Sequence, residues 1–297
     1  MSSVFGSNIK LSLFGESHSP YIGATISNLP AGLKVNINSI KKELDKRRPG
    51  INGETSRVEE DNFEIISGVT NNVTNGSPFT IIIPNKDVQA SDYKDLENVF
   101  RPSHADYVSY IKYGRKSNGG GQFSGRMTAA LVAINAILLD ALKEKGIAIG
   151  SYVKQVGNII DETEIGDING TINRLNSDFF PTLDGQIKNK MISLIDEARN
   201  NGDSIGGKIT TIVYNLIPGV GEPFFDSLES TISHAMFSIP AVKGITFGLG
   251  QSFAESYGSK VNDEFILKDC LIKTKTNFNG GINGGISNGM PIIFECI

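Results

Sequence analysis

Short apolar runs separated by polar turns dominate the first third of the chain. Ile9–Phe14 and Ile22–Leu29 predict two strands around a polar loop, Gly15-Glu16-Ser17-His18-Ser19-Pro20. Asn38 predicts the cap of a helix running through Arg47, with Ile40 and Leu44 inward and Pro49-Gly50 as its stop. Phe63–Val69 and Pro78–Pro84 predict further strands, Thr80–Ile83 being buried. Helical periodicity then takes over. Ser124–Lys145 carries Met127, Leu131, Ile134, Leu138 and Ala141 at four-three spacing, and Ile187–Asn201 carries Met191, Leu194, Ile195 and Ala198. Lys208–Leu216 and Lys243–Gly250 predict strands either side of a helix capped by Asp226, bearing Leu228, Ile232 and Ala235, and ended by Pro240. Ser151–Asp184 predicts only one short strand and turns.

The stretch Arg101–Ala130 concentrates the candidate chemistry. Ser103 predicts a helix N-cap with Asp106 three residues on, which would put His104 in the first helical turn; Tyr107, Tyr110 and Ile111 form the stripe and Gly114 ends the helix. Gly119, Gly120 and Gly121 then open onto the long helix. A glycine-rich turn at a helix start gathers free N–H groups and attracts anions, yet Arg126 sits there too, where the helix end is already positive. Arg126 therefore reads as an anion contact or as a solvated loop residue. A second glycine-rich turn covers Asn277–Gly289.

Composition narrows the classes. The 297 residues are 39% hydrophobic, enough for a substantial core, and the net charge of -4 offers no basic field for nucleic acid. Without a run of 18 apolar residues or a signal-like start, no membrane segment is expected, and the expected setting is cytoplasmic. Cys270 and Cys296 lie far apart with no CxxC spacing, so neither a disulfide framework nor a metal site is expected. His234 reads as a packing or surface histidine. With no linker or repeat, one continuous α+β domain over 1–297 is expected.

The motifs, taken in order, resemble the chorismate synthase family across essentially the whole chain. Gly15–His18 is similar to the family's Gly-Glu-Ser-His-Gly, with Ser19 in place of glycine; Leu29-Pro30-Ala31-Gly32-Leu33 follows. Arg47-Arg48-Pro49-Gly50, the Thr55, Arg57, Glu59, Asp61 alternation and Ser67-Gly68-Val69 come next. Arg101-Pro102-Ser103-His104-Ala105-Asp106 is similar to the family's second histidine motif, in which glycine usually replaces Ser103. Gly202–Gly207, Gly221-Glu222-Pro223, Ser238–Gly244, Asn262-Asp263-Glu264 and Thr276–Pro291 continue the match.

The resemblance implies a lyase that eliminates phosphate from 5-enolpyruvylshikimate 3-phosphate to give chorismate, using reduced FMN with NADPH as a candidate reductant. It implies a four-layer α/β/β/α sandwich with two antiparallel sheets, and a homotetramer. It places His18 at the leaving phosphate and His104 at the reduced flavin. Arg47, Arg48, Arg57, Ser124 and Arg126 become the expected substrate contacts, since arginine's planar fork suits phosphate and carboxylate. Gln122, Phe123, Ser124, Pro240, Ala241 and Gly284 become the expected flavin contacts. Where many relatives carry Arg-Ser-Ser-Ala-Arg-Glu-Thr, this chain has Gln122–Thr128, and the family's Lys-Pro-Thr and Arg-x-Asp-Pro segments have no counterpart before Ile297. A non-catalytic remnant that keeps the fold and anion binding is the alternative, and its last strand, after Met290-Pro291, is expected to present an unpaired edge.

Overall fold

The computed structural model describes residues 3–48, 60–86, 99–117 and 119–297. The described chain divides into two compact units, one within residues 3–141 and one over residues 142–297.

The first unit is built on a five-stranded antiparallel sheet. β1 (Val4–Phe5), β2 (Lys10–Gly15), β3 (Tyr21–Ser27), β4 (Glu64–Ser67) and β7 (Phe79–Pro84) lie in the order β1-β2-β3-β7-β4; β5 (Val69–Thr70) and β6 (Val73–Thr74) form a separate ribbon. The register sets Ile22 opposite Ile83, Ala24 opposite Ile81 and Ile26 opposite Phe79, so one face carries an unbroken apolar strip. These six side chains are at most 1% exposed. Alternation, instead of the continuous burial expected over Thr80–Ile83, is what β7 shows.

Helix α1 (Ile37–Lys46) packs Ile40 and Leu44 into that core, as their spacing predicted. Its cap is Asn36, two residues earlier than expected, whose Oδ1 accepts from the Asn38 and Ser39 amides. The long helix starts later than expected: 3₁₀ turns at Gly121–Phe123 and Gly125–Met127 precede α3 (Thr128–Glu144). Its burial centres on Ala130, Ala133, Ile134 and Ile137, and small alanines let it sit close to the sheet. Gly125–Glu144 is long and apolar enough to cross a membrane, but here its inward residues belong to the core of this unit.

Helix α2 (Asp106–Tyr113) corrects the expected cap. Its N-cap position is Ala105, with no side-chain cap, so His104 precedes the helix instead of standing in its first turn. Ser103 is exposed and left-handed, φ 55°, a conformation in which its hydroxyl does not cap. Glycine, which the resemblance implies at this place in the motif, is the residue this backbone favours.

The second unit has its own antiparallel sheet, in the order β11-β16-β10-β8-β9: β8 (Ala148–Val156), β9 (Ile159–Ile160), β10 (Gly207–Tyr214), β11 (Ile245–Phe247) and β16 (Ile292–Cys296). The last strand lies between β10 and β11, so the unpaired edge expected of it is absent. Helix α4 (Ile168–Leu175), unexpected from the sequence, packs Ile172 and Leu175 against Tyr152 and Ile212. Gly150 makes room for it: a Cβ there would stand 3.0 Å from Ile172 Cγ2. Helix α5 (Gly185–Asn200) is capped by Asp184, while α6 (Leu228–Met236) is capped by Ser227 in place of the expected Asp226. The short α7 (Gly258–Val261) precedes an unexpected hairpin of β12 (Phe265–Lys268) and β13 (Leu271–Thr274). In the glycine-rich turn, β14 (Ile282–Asn283) and β15 (Ile286–Ser287) are joined by Gly284 and Gly285, both with positive φ as a primed two-residue turn requires.

Replacing Ser103 by glycine relieves roughly 1–2 kcal/mol of left-handed strain and adds about 0.5–1 kcal/mol of unfolded-chain entropy. Ser103→Gly is therefore expected to raise stability by about 0.5–1 kcal/mol, read from urea midpoints; a lowered midpoint would show that the serine side chain contributes a contact of its own.

Candidate active site

His18 sits in the loop between β2 and β3, and the loop is fastened at both ends. Ser19 Oγ accepts from the Glu16 amide (2.9 Å) and lies 2.8 Å and 2.6 Å from the Glu16 and Tyr21 carbonyls. The Asn85 amide donates to the Glu16 and Ser19 carbonyls at 3.0 and 2.6 Å. Ser17, 1% exposed, donates its N–H to the Gly121 carbonyl and holds its hydroxyl 2.9 Å from His18 Nδ1. The imidazole lies directly over Gly119: a Cβ on that residue would be 2.2 Å from His18 Cε1. Two of the three consecutive glycines thus serve the histidine loop, one by its missing side chain and one by its carbonyl.

His104 belongs to a second cluster around Asp106, which is 3% exposed. Arg101 grips this carboxylate with Nε and Nη2, both at 2.8 Å, and with its backbone N–H at 3.1 Å. That grip holds the Asp106 carboxyl well below the usual carboxylate range, against the opposing effect of its burial. His104 Nδ1 stands 2.9 Å from Asp106 Oδ1, a charge contact without the geometry of a hydrogen bond, and Lys116 Nζ lies 3.9 Å from Oδ2. Arg101 Nη2 also donates to the Gly119 carbonyl at 2.6 Å. His18 and His104 are thus joined through Gly119, Arg101 and Asp106.

The arginines divide. Arg126 is 6% exposed and fully engaged: Nη1 pairs with Asp61, Nε donates to Asn85 Oδ1 at 3.0 Å, and Nη2 donates to the Pro84 carbonyl at 3.3 Å. It is neither solvated nor open to a ligand through these atoms. Asp61 explains how a cation is tolerated beside a helix start. Arg47 Nη1 takes the other Asp61 oxygen at 2.6 Å, keeps 23% of its side chain exposed, and has a buried Nε without a hydrogen-bond partner among the described residues. Arg48 pairs with Asp45 at 2.9 Å and donates to the Glu60 carbonyl. Beside them lies an open cavity of about 710 Å³, lined by Lys41, Asp45, Arg48, Glu60 and Asp61 with apolar residues of α1 and β4. Arg57 lies outside the described residues. Asn85 carries no signal in the sequence and Asp61 only its place in a motif, because Arg126, Glu16 and Ser19 lie too far along the chain, whereas Arg101 and His104 beside Asp106 fall within its own motif.

The residues expected to hold a flavin fit such a group in kind. Gly284 has nothing within 4 Å where a Cβ would stand, so its backbone is open to close approach. Phe123 leaves 38% of its surface exposed beside Gln122, while Ser124 Oγ accepts from the Arg126 amide and keeps its hydroxyl proton for an anion. In the second unit Pro240 and Ala241 are exposed, Ala241 with φ 71°. The turn leading to Gly284 is held by Asp263, which accepts from Thr276 Oγ1 and the Phe278 and Asn279 amides at 2.7–2.8 Å. Burial would raise the Asp263 carboxyl, but these donors outweigh it and hold it below its ordinary value.

Gly119→Ala is expected to displace His18 while the fold persists, lowering turnover by about 100-fold, since a displacement near 1 Å can cost that much; turnover within about threefold of the parent would show that the ring moves aside freely. Asp106 titrates lower folded than unfolded, so its contribution to stability is complete at neutral pH and is lost as pH falls from about 4 through its folded value. The difference in Tm between the parent and Asp106→Asn is accordingly expected to be constant above about pH 5 and to shrink toward pH 2.

A family model for chorismate synthase matches residues 9–297. The chorismate synthase of Pyrococcus abyssi is 40% identical over 293 residues, covering 97% of this chain and 80% of its own, and that of Prochlorococcus marinus strain MIT 9515 is 42% identical, covering 98% and 81%. A crystal structure of chorismate synthase superposes with a TM-score of 0.81 at 29% identity, covering 98% of this chain and 83% of that one. The paired histidines thus stand in a chain that belongs to the chorismate synthase family, the flavin-using lyases of the shikimate pathway.

Proposed function

We propose that this chain eliminates phosphate from 5-enolpyruvylshikimate 3-phosphate with His18 as the acid at the leaving phosphate and His104 as the group facing reduced FMN. The carrying observation is that both imidazoles stand against one frame, His18 seated on Gly119 and His104 in charge contact with Asp106, with Arg101 gripping both supports. In the elimination the C–O bond to phosphate breaks, a ring proton is lost and a second ring double bond forms. Bound reduced flavin supplies electron density that loosens the C–O bond.

The chain's own residues bind, orient and move protons. Ser17 Oγ stands 2.9 Å from His18 Nδ1, and Nε2 is the nitrogen we assign to deliver a proton to the phosphate. Asp106 stands against the Nδ1 side of His104 as a charge contact, and Nε2 is the nitrogen we assign to the cofactor side. Arg47, with 23% of its side chain exposed and a buried Nε that has no hydrogen-bond partner among the described residues, is the direct anion contact we favour, with Arg48, Arg57 and the hydroxyl of Ser124 as the further contacts. Arg126 serves the same anion by fixing Asp61 and hence Arg47. In their own units, Gln122, Phe123 and Ser124, and Pro240, Ala241 and Gly284, are the flavin contacts. FMN as the flavin, NADPH as its candidate reductant, a homotetramer and a cytoplasmic setting follow from the family resemblance. Relatives near 40% identity over nearly the whole chain do not favour a non-catalytic remnant.

His18→Ala and His104→Ala are each expected to lower chorismate formation at least about 100-fold with the fold retained. An anaerobic assay with photoreduced FMN reads this; either variant within about threefold of the parent would sink its assignment.

A further inference from the structure

We infer that Asn85 is a positioning residue for the elimination, fixing where the His18 ring stands by fastening its loop to the buried arginine pair. The inference rests on the reading of His18 as the acid. Asn85 lies just past β7, and its backbone N–H donates to the Pro20 carbonyl at 2.9 Å. Its amide nitrogen donates to the carbonyls of Glu16 and Ser19, residues that bracket His18 on both sides. Its Oδ1 accepts from Arg126 Nε. Both amide hydrogens and the oxygen are thus in use, and the orientation is unambiguous: a flipped amide would set oxygen against two carbonyls and NH₂ against a guanidinium.

Asn85 thereby joins the histidine loop to Arg126. Ser17 and Ser19 tie the loop to itself, to Gly121 and, through Ser19 Oγ, to the Tyr21 carbonyl at the start of β3. Asn85 adds a tie to Arg126, which is itself fixed by Asp61 and the Pro84 carbonyl. A hydrogen-bonded amide with all three partners buried or backbone is a stiff link, and His18 depends on it at one remove.

The test uses the full chain as parent, Asn85→Asp and Asn85→Ala. Asn85→Asp keeps the shape and the Arg126 bond but loses both donations, and it carries the test should Asn85→Ala not fold. The chain has three histidines, so ¹H–¹³C correlation spectra resolve each imidazole and His18→Gln assigns the peak. We expect the His18 Cε1–H peak to move while that of His234 stays, and kcat to fall about 10- to 100-fold with KM changed by less than about threefold. An unmoved His18 peak in a folded variant overturns the inference. A moved peak with unchanged kcat instead overturns the reading of His18 as the acid, so the two failures are distinguishable.

Discussion

Asp61, buried between two arginines, is the interaction on which the rest of the first unit's site depends. Its side chain is 1% exposed, and each oxygen meets a different guanidinium. A buried charge without partners is costly, and two guanidinium groups brought together without a carboxylate would repel. With Asp61 in place, Arg126 can stand beside the start of α3 and still direct its Nε to Asn85. The loop carrying His18 is thereby tied to a group whose own nearest charge comes from a distant stretch of chain.

The second cluster obeys the same logic with different parts. Arg101 uses its backbone and side chain on Asp106, and its Nη2 serves both Asp106 Oδ1 and the Gly119 carbonyl, so a single guanidinium sets both the carboxylate beside His104 and the backbone beneath His18. A planar fork with several fixed donors can do this; a lysine, whose donors share one point, could not hold both acceptors at these angles.

Much of the frame was legible where local chemistry and packing agree. Ile40 and Leu44 on α1, the strip on β3 and β7 and the apolar α3 all follow from spacing, because what packs there is what the period predicts. Helix α4 was not legible: its Asn169, Gly170, Thr171 and Asn173 are poor helix formers, and packing of Ile172 over Gly150 overrides them. The β12–β13 hairpin turns on Asp269 and Cys270, both left-handed without glycine, so the usual turn signal is missing. In the site, His18, His104 and the arginines stood out by type and by family motif. What links them, Asp61 to Arg126 and Asn85 to Ser19, joins residues more than sixty positions apart and leaves no trace in any window of sequence.

The shared carboxylate also constrains how such a chain can diverge. Loss of Arg126 leaves Asp61 still neutralised by Arg47, whereas loss of Asp61 strands two cations at once. Effects at the three positions therefore cannot add, and the order of substitution matters. A lineage that abandons the buried pair must surrender an arginine before the aspartate, so the accessible routes through sequence space at this site run in one direction.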